Sequence, residues 1–273
     1  MPSLTEKIEL LGKGLYEKIP DELTLRGIPT VSELEYVSSE DFDSTMLDKI
    51  LPEAIEEKIN SRDLLEIDYN WVCRCLRFLN YGPYYTTNAI WCGHCGKTHY
   101  GEYTVDLRSI NTLPLPKAFV NSMTIKRDEF LDFNGDVTFK LPTIQQKLNW
   151  EKDNAFKRAD GSINRELARI CYVIKSLGSY TNMTPFEYKA VIEKEFSPAD
   201  YVVLKNKVIE MSNYGLRAAG TAQCPVCGEK DASFLALTTE RFFRPTLGDL
   251  HAWKRDRSKR ANENTAGDKT AAV

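Results

Sequence analysis

Seven cysteines stand in this chain of 273 residues, and four of them fall into two C-x-x-C pairs. The first reads Trp91-Cys92-Gly93-His94-Cys95-Gly96 and the second Gln223-Cys224-Pro225-Val226-Cys227-Gly228. Two thiolates three residues apart can face one metal ion, turn amides stabilise the charge on sulfur, and a glycine after the second cysteine relieves the tight turn. Each pair therefore has the composition of a zinc knuckle. An odd cysteine count with paired spacing favours metal over a disulfide framework. The expectation is one structural zinc shared by Cys92, Cys95, Cys224 and Cys227. His94 or His99 in place of one cysteine, or two unrelated sites, are the alternatives. The free energy of such a site is on the order of 10 kcal/mol, comparable with the net stability of a domain.

A sharper reading competes for the first pair. Trp91-Cys92-Gly93-His94-Cys95 is letter for letter the active-site sequence of protein disulfide isomerases, where the first cysteine attacks disulfides from a helix N-terminus. That chemistry needs an apolar strand before the motif and a long helix after it. Here Tyr84-Tyr85-Thr86-Thr87-Asn88 precedes, and Gly96, Thr98 and Gly101 follow with strand-like alternation.

Other catalytic signatures are missing. Gly12-Lys13-Gly14 lacks the spacing of a phosphate loop, and no G-x-S-x-G or H-E-x-x-H occurs. Asp41, Asp43, Asp63, Glu66 and Asp68 read as solvated surface. Cys75 and Cys171 lie on apolar stripes as core residues, Cys73 carries no signal, and the histidines form no cluster. No catalytic or cofactor-binding residue is assigned, and the chain reads as a non-enzyme. A net charge of −3 makes nucleic acid an unlikely partner through the overall field. No window approaches the roughly 20 apolar residues of a membrane span, and the N-terminus lacks a signal profile, so a reducing cytoplasm is expected.

The elements that must position the cysteines follow from periodicity. Pro29 biases Ile28 toward extended backbone before a short helix. Leu47, Ile50, Leu51, Ile55 and Ile59 recur at helical spacing, with Pro52 as a break. A clearer helix places Trp71, Val72, Cys75, Leu76 and Leu79 on one face, with Asp68 as its cap, Arg74 and Arg77 projecting as a basic pair, and Gly82-Pro83 as its stop. Strand character runs from Tyr84 to about Leu107. Asn134-Gly135 predicts a tight hairpin between Phe130, Leu131, Phe133 and Val137, Phe139, Leu141. Thr143 with Gln146 predicts a capping box. Residues 164–214 read as all helix: Leu167, Ile170, Cys171, Ile174 and Leu177 form one stripe, and Thr184-Pro185 and Ser197-Pro198 begin two further helices. Phe234 to Phe243 returns to strand, and from His251 the chain reads as a disordered polar tail carrying the basic run Lys254, Arg255, Arg257, Lys259 and Arg260.

Together these predict an α+β fold: a helix-rich body with a zinc-ribbon-like element whose two knuckles are split by a long insertion. The predicted organisation is a partly extended arm over 1–35, a zinc-stapled body over 36–250 and a tail over 251–273. Within the body the ribbon halves fall at about 84–108 and 221–245, with the insertion at 109–220.

The order of these features resembles the T-even-type bacteriophage baseplate protein family over roughly residues 22–245. The resemblance is carried by Leu25-Arg26-Gly27-Ile28-Pro29-Thr30-Val31-Ser32-Glu33, by Asp68 to Leu79 with Arg77, and by Tyr81-Gly82-Pro83-Tyr84-Tyr85. The first C-x-x-C, Leu141-Pro142-Thr143, and the second C-x-x-C leading to Phe242-Phe243-Arg244-Pro245 complete it. It implies a non-enzymatic protein of baseplate hub assembly or structure, in the host cytoplasm or the virion tail, with other baseplate and tail proteins as partners. The run Tyr81 to Tyr85 and Phe242-Phe243-Arg244-Pro245 are its candidate contacts. Two other classes stay open: a zinc-ribbon nucleic-acid-binding regulator using Arg74, Arg77 and the tail, and a thiol-disulfide oxidoreductase using Cys92 and Cys95.

Overall fold

A computed structural model describes residues 5–29, 32, 39, 41–116, 119–217, 219–235, 246 and 248–256. The fold is α+β. It begins with an antiparallel hairpin of β1 (Thr5–Glu9) and β2 (Glu22–Arg26). Leu23 and Leu25 alternate inward there, and Ile8, Leu10 and Ile19 join them in the core. The part of the expected arm that is described is thus built into the body.

A helical run follows as α1 (Phe42–Thr45), a π-turn (Met46–Ile50) and α2 (Leu51–Ala54). Pro52 sits in the first turn of α2, where a missing N–H costs nothing, and the widened turn before it absorbs the ring. The expected break is therefore a local widening.

The central helix α3 (Glu66–Tyr81) buries Val72, Cys73, Cys75 and Leu76. Its cap position is Leu65, and Asp68 lies one turn inside, fully buried. The Asp68 carboxylate accepts from the Leu11 amide at 2.6 Å, the Gly12 amide at 3.1 Å and the Tyr16 hydroxyl at 2.6 Å. A residue expected to cap its own helix instead anchors the loop joining β1 to β2. Gly82 ends α3 with φ of +75°, and a Cβ there would lie 2.5 Å from the Trp253 ring. Gly82→Ala is expected to cost about 2–3 kcal/mol, from left-handed strain plus displacement of the indole. Urea unfolding would show this as a lowered midpoint at unchanged slope.

Two strands follow, β3 (Tyr84–Cys92) and β4 (Lys97–Asp106), then the short β5 (Thr112–Leu113). A second lobe comprises β6 (Met123–Ile125), β7 (Val137–Phe139), α4 (Ile144–Lys152), α5 (Arg165–Val173), β8 (Ile174–Leu177), β9 (Tyr180–Thr181), α6 (Pro185–Glu195) and α7 (Pro198–Ser212). The chain returns through β10 (Gly215–Leu216), which pairs with β5, to β11 (Ala219–Ala222), β12 (Ala232–Leu235) and a last helix, α8, over 248–256.

Among the described residues there are two larger sheets, in strand orders β11-β12-β3-β4 and β6-β7-β8-β9, and each belongs to its own hydrophobic core. The cores meet at the start of α3, where the Glu66 amide donates to Pro142 O at 2.9 Å and the Ile144 amide to Leu64 O at 2.8 Å. The predicted capping box of Thr143 with Gln146 is formed, and Thr184 begins its helix as expected, in a further capping box with Glu187.

Two local expectations fail in the second lobe. Ile174 and Leu177 leave the helical stripe and pair with Phe139 and Val137, because burial against β7 outweighs the helical period. The strand before β7 in the chain that pairs with it is β6, at Met123–Ile125, so Asn134-Gly135 lies in a long connection rather than a two-residue turn. That connection is fixed from outside: the Asp200 carboxylate accepts from the amides of Leu131, Asp132 and Phe133 at 2.6–3.1 Å, and Phe133 stacks on Phe196 with centroids 4.2 Å apart. Three amides held by one buried acid override a local turn signal.

Candidate metal centre

Both C-x-x-C pairs sit in hairpin turns at the same end of one sheet. Cys92 is the last residue of β3 and Cys95 lies in the turn to β4, while Cys224 and Cys227 lie in the turn from β11 to β12. The two hairpins lie side by side in one sheet, with Ser233 of β12 opposite Trp91 of β3. After the second cysteine of each pair, Gly96 and Gly228 take φ of +65° and +76°, the left-handed backbone that a knuckle demands.

Four sulfurs converge there. Cys92 Sγ lies 3.7 Å from Cys227 Sγ, Cys95 Sγ lies 3.8 Å from Cys224 Sγ, and all four fall within 4.8 Å of one another. A disulfide requires about 2.05 Å. Four thiolates about 2.3 Å from a central ion stand about 3.8 Å apart along each tetrahedral edge. The observed separations match the ion-binding geometry, so the four cysteines can hold one metal ion. The Cys95 amide donates to Cys92 Sγ at 3.4 Å, and the Gly228 amide to Cys224 O at 3.1 Å, which closes the second turn.

The electrostatics point the same way. Burial pushes the Cys224 thiol up, but the amides of Cys227 and Val226, with the neighbouring thiols, bring it down to about 6. Cys95 is pushed up to about 12, first by its hydrogen bond with Cys227 and then by burial and the other thiols. Four thiols this close cannot all ionise without a counter-charge, and a divalent cation supplies one. Cys92 and Cys224 are buried, Cys95 is half-buried and Cys227 faces solvent.

Among the described residues no histidine belongs to this cluster. His94 is exposed in the first turn, and His99 is buried on β4 with its Nε2 unpartnered. The remaining thiols are inert by burial. That of Cys75 is raised to about 12, and those of Cys73 and Cys171 are raised as well. Compared with protein-family descriptions, curated proteins and solved structures, the chain matches none. Its site must be judged on its own geometry.

That geometry disfavours the other two chemistries. Cys92 ends a strand and Cys95 occupies a strand-to-strand turn, so the helix N-terminus that activates an isomerase thiol is missing. Arg74 and Arg77 do not project. The Arg74 guanidinium lies 5.3 Å and 5.1 Å from the Trp71 and Phe78 rings and donates to Leu107 O at 3.2 Å. Arg77 is wholly buried, donates to Tyr84 O at 2.6 Å and stands 3.5 Å from Asp249. Neither can reach a phosphate. Arg257, Lys259 and Arg260 lie outside the described residues, as does Phe242-Phe243-Arg244-Pro245. Among the described residues, no helix is long and apolar enough to cross a membrane.

The first described part of the expected tail is ordered. Residues 248–256 form α8, with Asp249 fully buried and Ala252 nearly so. Thr246 and Asp249 make a reciprocal capping box: the Asp249 amide donates to Thr246 Oγ1 at 3.2 Å, and the Thr246 amide to Asp249 Oδ2 at 2.9 Å. Thr-x-x-Asp was the signal in the sequence, masked by the polar composition after it.

Proposed function

We propose that the ion is zinc, that the two knuckle-bearing hairpins form a zinc ribbon split by the second lobe, and that the protein serves, without catalysis, in assembly or structure of the hub of a contractile phage tail's baseplate. The observation that carries the non-catalytic reading is the closed ligand set. Four protein thiolates leave no coordination position for water or substrate, the hallmark of a structural rather than a catalytic zinc. The phage reading is supported by the ordered series of motifs in the sequence. Several of them have structural roles: Leu25 in the core, Arg77 under α8, Gly82 as the helix stop, and both C-x-x-C pairs at one centre.

Function in this reading comes from shape. The ion fastens parts of the chain that are 129 residues apart between Cys95 and Cys224, and so presents a rigid surface to other tail proteins. Tyr81 and Tyr85 are buried, which removes most of the aromatic run first considered for contact. Two measurements test the proposal. Native mass spectra with and without chelator should differ by one zinc; a red, iron-loaded protein would overturn the metal assignment. Tagged protein co-expressed with the tail proteins encoded around it should recover at least one of them, whereas recovery of nucleic acid alone would overturn the hub reading.

A further inference from the structure

Where the two lobes meet at the start of α3, a cavity remains. Its lining includes Ile67 and Asn70 on α3, Arg169 and Val173 on α5, and Val208 and Met211 on α7. About 70 Å³ of it is open to the centres of water molecules. A water needs about 10–15 Å³ on that scale and takes about 30 Å³ of the liquid, so the space suits about five waters or one molecule of roughly eight non-hydrogen atoms. The apolar part of the wall is firm: Ile67, Val173, Val208 and Met211 are buried members of the second core.

The polar part of the wall is short of acceptors. The Arg169 guanidinium lies 5.5 Å from the centre of the Trp150 ring, and its Nε is buried without a partner. Among the described residues its one hydrogen bond runs from Nη2 to Glu66 Oε2, at a long 3.4 Å. The Asn70 amide and the Tyr214 hydroxyl also line the space, and among the described residues neither side chain makes a hydrogen bond. A guanidinium carries five donors in a planar fork, so most of its capacity is unspent.

We propose that this cavity binds a small aliphatic monocarboxylate, its head accepting from Arg169 and Asn70 and its branched chain lying on Ile67, Val208 and Met211. The sign of the charge follows from the neighbours. Glu66 lines the cavity too, but its carboxylate stands between Arg169 at 3.4 Å and Lys147 at 3.9 Å, so the three groups sum to one positive charge. An amine would bring a third cation to one acid, whereas a carboxylate balances the sum. A planar carboxylate also matches the guanidinium fork. Phosphate would turn further charge toward Glu66 and leave the apolar wall uncovered. The ligand would touch α3 of the first lobe and α5 and α7 of the second, so occupancy should raise the melting temperature.

The test is calorimetric titration of the full-length protein with isocaproate, which has eight non-hydrogen atoms by its formula, about the number the space admits. Parallel arms use isocaproamide, isohexylamine, inorganic phosphate and the dipeptide acetyl-glycyl-leucine. The expected result is one saturable site for isocaproate, half-filled at about 1 mM or below, with every other probe at least about tenfold weaker. Arg169→Gln and Asn70→Leu should each weaken binding about tenfold or more. Asn70→Leu breaks no hydrogen bond among the described residues, so it should keep the wild-type melting temperature and separate lost recognition from lost folding. No saturable binding of isocaproate at tens of millimolar would overturn the proposal. Equal binding of the amide, or undiminished binding by both variants, would overturn it as well, the first by removing the role of charge and the second by placing the ligand elsewhere. Tighter binding of phosphate or of the dipeptide would assign the cavity to another ligand, an inorganic anion or a chain terminus. None of these outcomes bears on the hub reading, which needs no small ligand.

Discussion

Cys224→Ser should strip the protein of its metal and lower its unfolding free energy by several kcal/mol, enough to leave the β11–β12 hairpin detached or the chain unfolded. Cys224 is buried, closes its own turn through the Gly228 amide, and faces Cys95 across the centre at 3.8 Å. Serine is a poor ligand for a soft thiophilic ion, and three thiolates would then crowd an incomplete shell. Among the described residues the hairpins pair at Ser233 and Trp91 and share a core, and an ion held by all four thiols would tie their two turns together. Structural zinc sites contribute on the order of 10 kcal/mol, against a net stability of roughly 5–15 kcal/mol for a domain. Thermal unfolding with parallel metal analysis measures this. Cys73→Ser, in the core away from the centre, should keep its metal whatever it costs in stability. If Cys224→Ser melted like wild type, the shared centre would be refuted.

The second large effect lies at the other end of the same sheet. Arg77 and Asp249 are both wholly shielded from solvent, and the acid arrives from 172 residues further along the chain. Asp249 is further held by the Thr86 hydroxyl at 2.6 Å and the Thr246 amide at 2.9 Å. Removing one partner of such a pair leaves a charge in a dry site, and Asp249→Ala is expected to cost about 3–5 kcal/mol and to release α8. Arg77→Met combined with Asp249→Leu should recover much of that loss, since an apolar pair of similar volume has no charge to desolvate. Urea unfolding of the two single variants and the double one closes the cycle. A single variant within about 0.5 kcal/mol of wild type would mean that water reaches the pair.

The four-cysteine cluster was legible because its information is local. Three-residue spacing and a following glycine specify a knuckle wherever it sits, and two identical half-sites imply each other. The same holds for Thr143 with Gln146 and Thr184 with Glu187, where cap and partner lie within one turn. What could not be read depended on distant residues. Arg77 looked like a surface charge because nothing near it in sequence announces Asp249 as a counter-ion, whereas the Trp71 and Phe78 rings that flank Arg74 lie three and four residues away on its own helix and were a local signal left unread. Asp68 carried the right residue type for a cap, yet the loop at Leu11 and Gly12 claimed it. Asn134-Gly135 would make a tight turn in isolation, but Asp200 organises that backbone from another element. Ile174 and Leu177 fit a helical stripe until β7 offers them a strand to pair with. In each case tertiary pairing outweighed a modest local preference.

The separation of the two knuckles also has a consequence for synthesis. At roughly 5–20 residues per second, the ribosome delivers Cys224 some 6–26 s after Cys95. During that interval the first turn offers an ion only two thiolates, while the intervening lobe already has the strands and helices of its own core and can condense. Closure of the centre is thus expected to be a late event in biogenesis, with the supply of the ion able to limit how fast nascent chains mature.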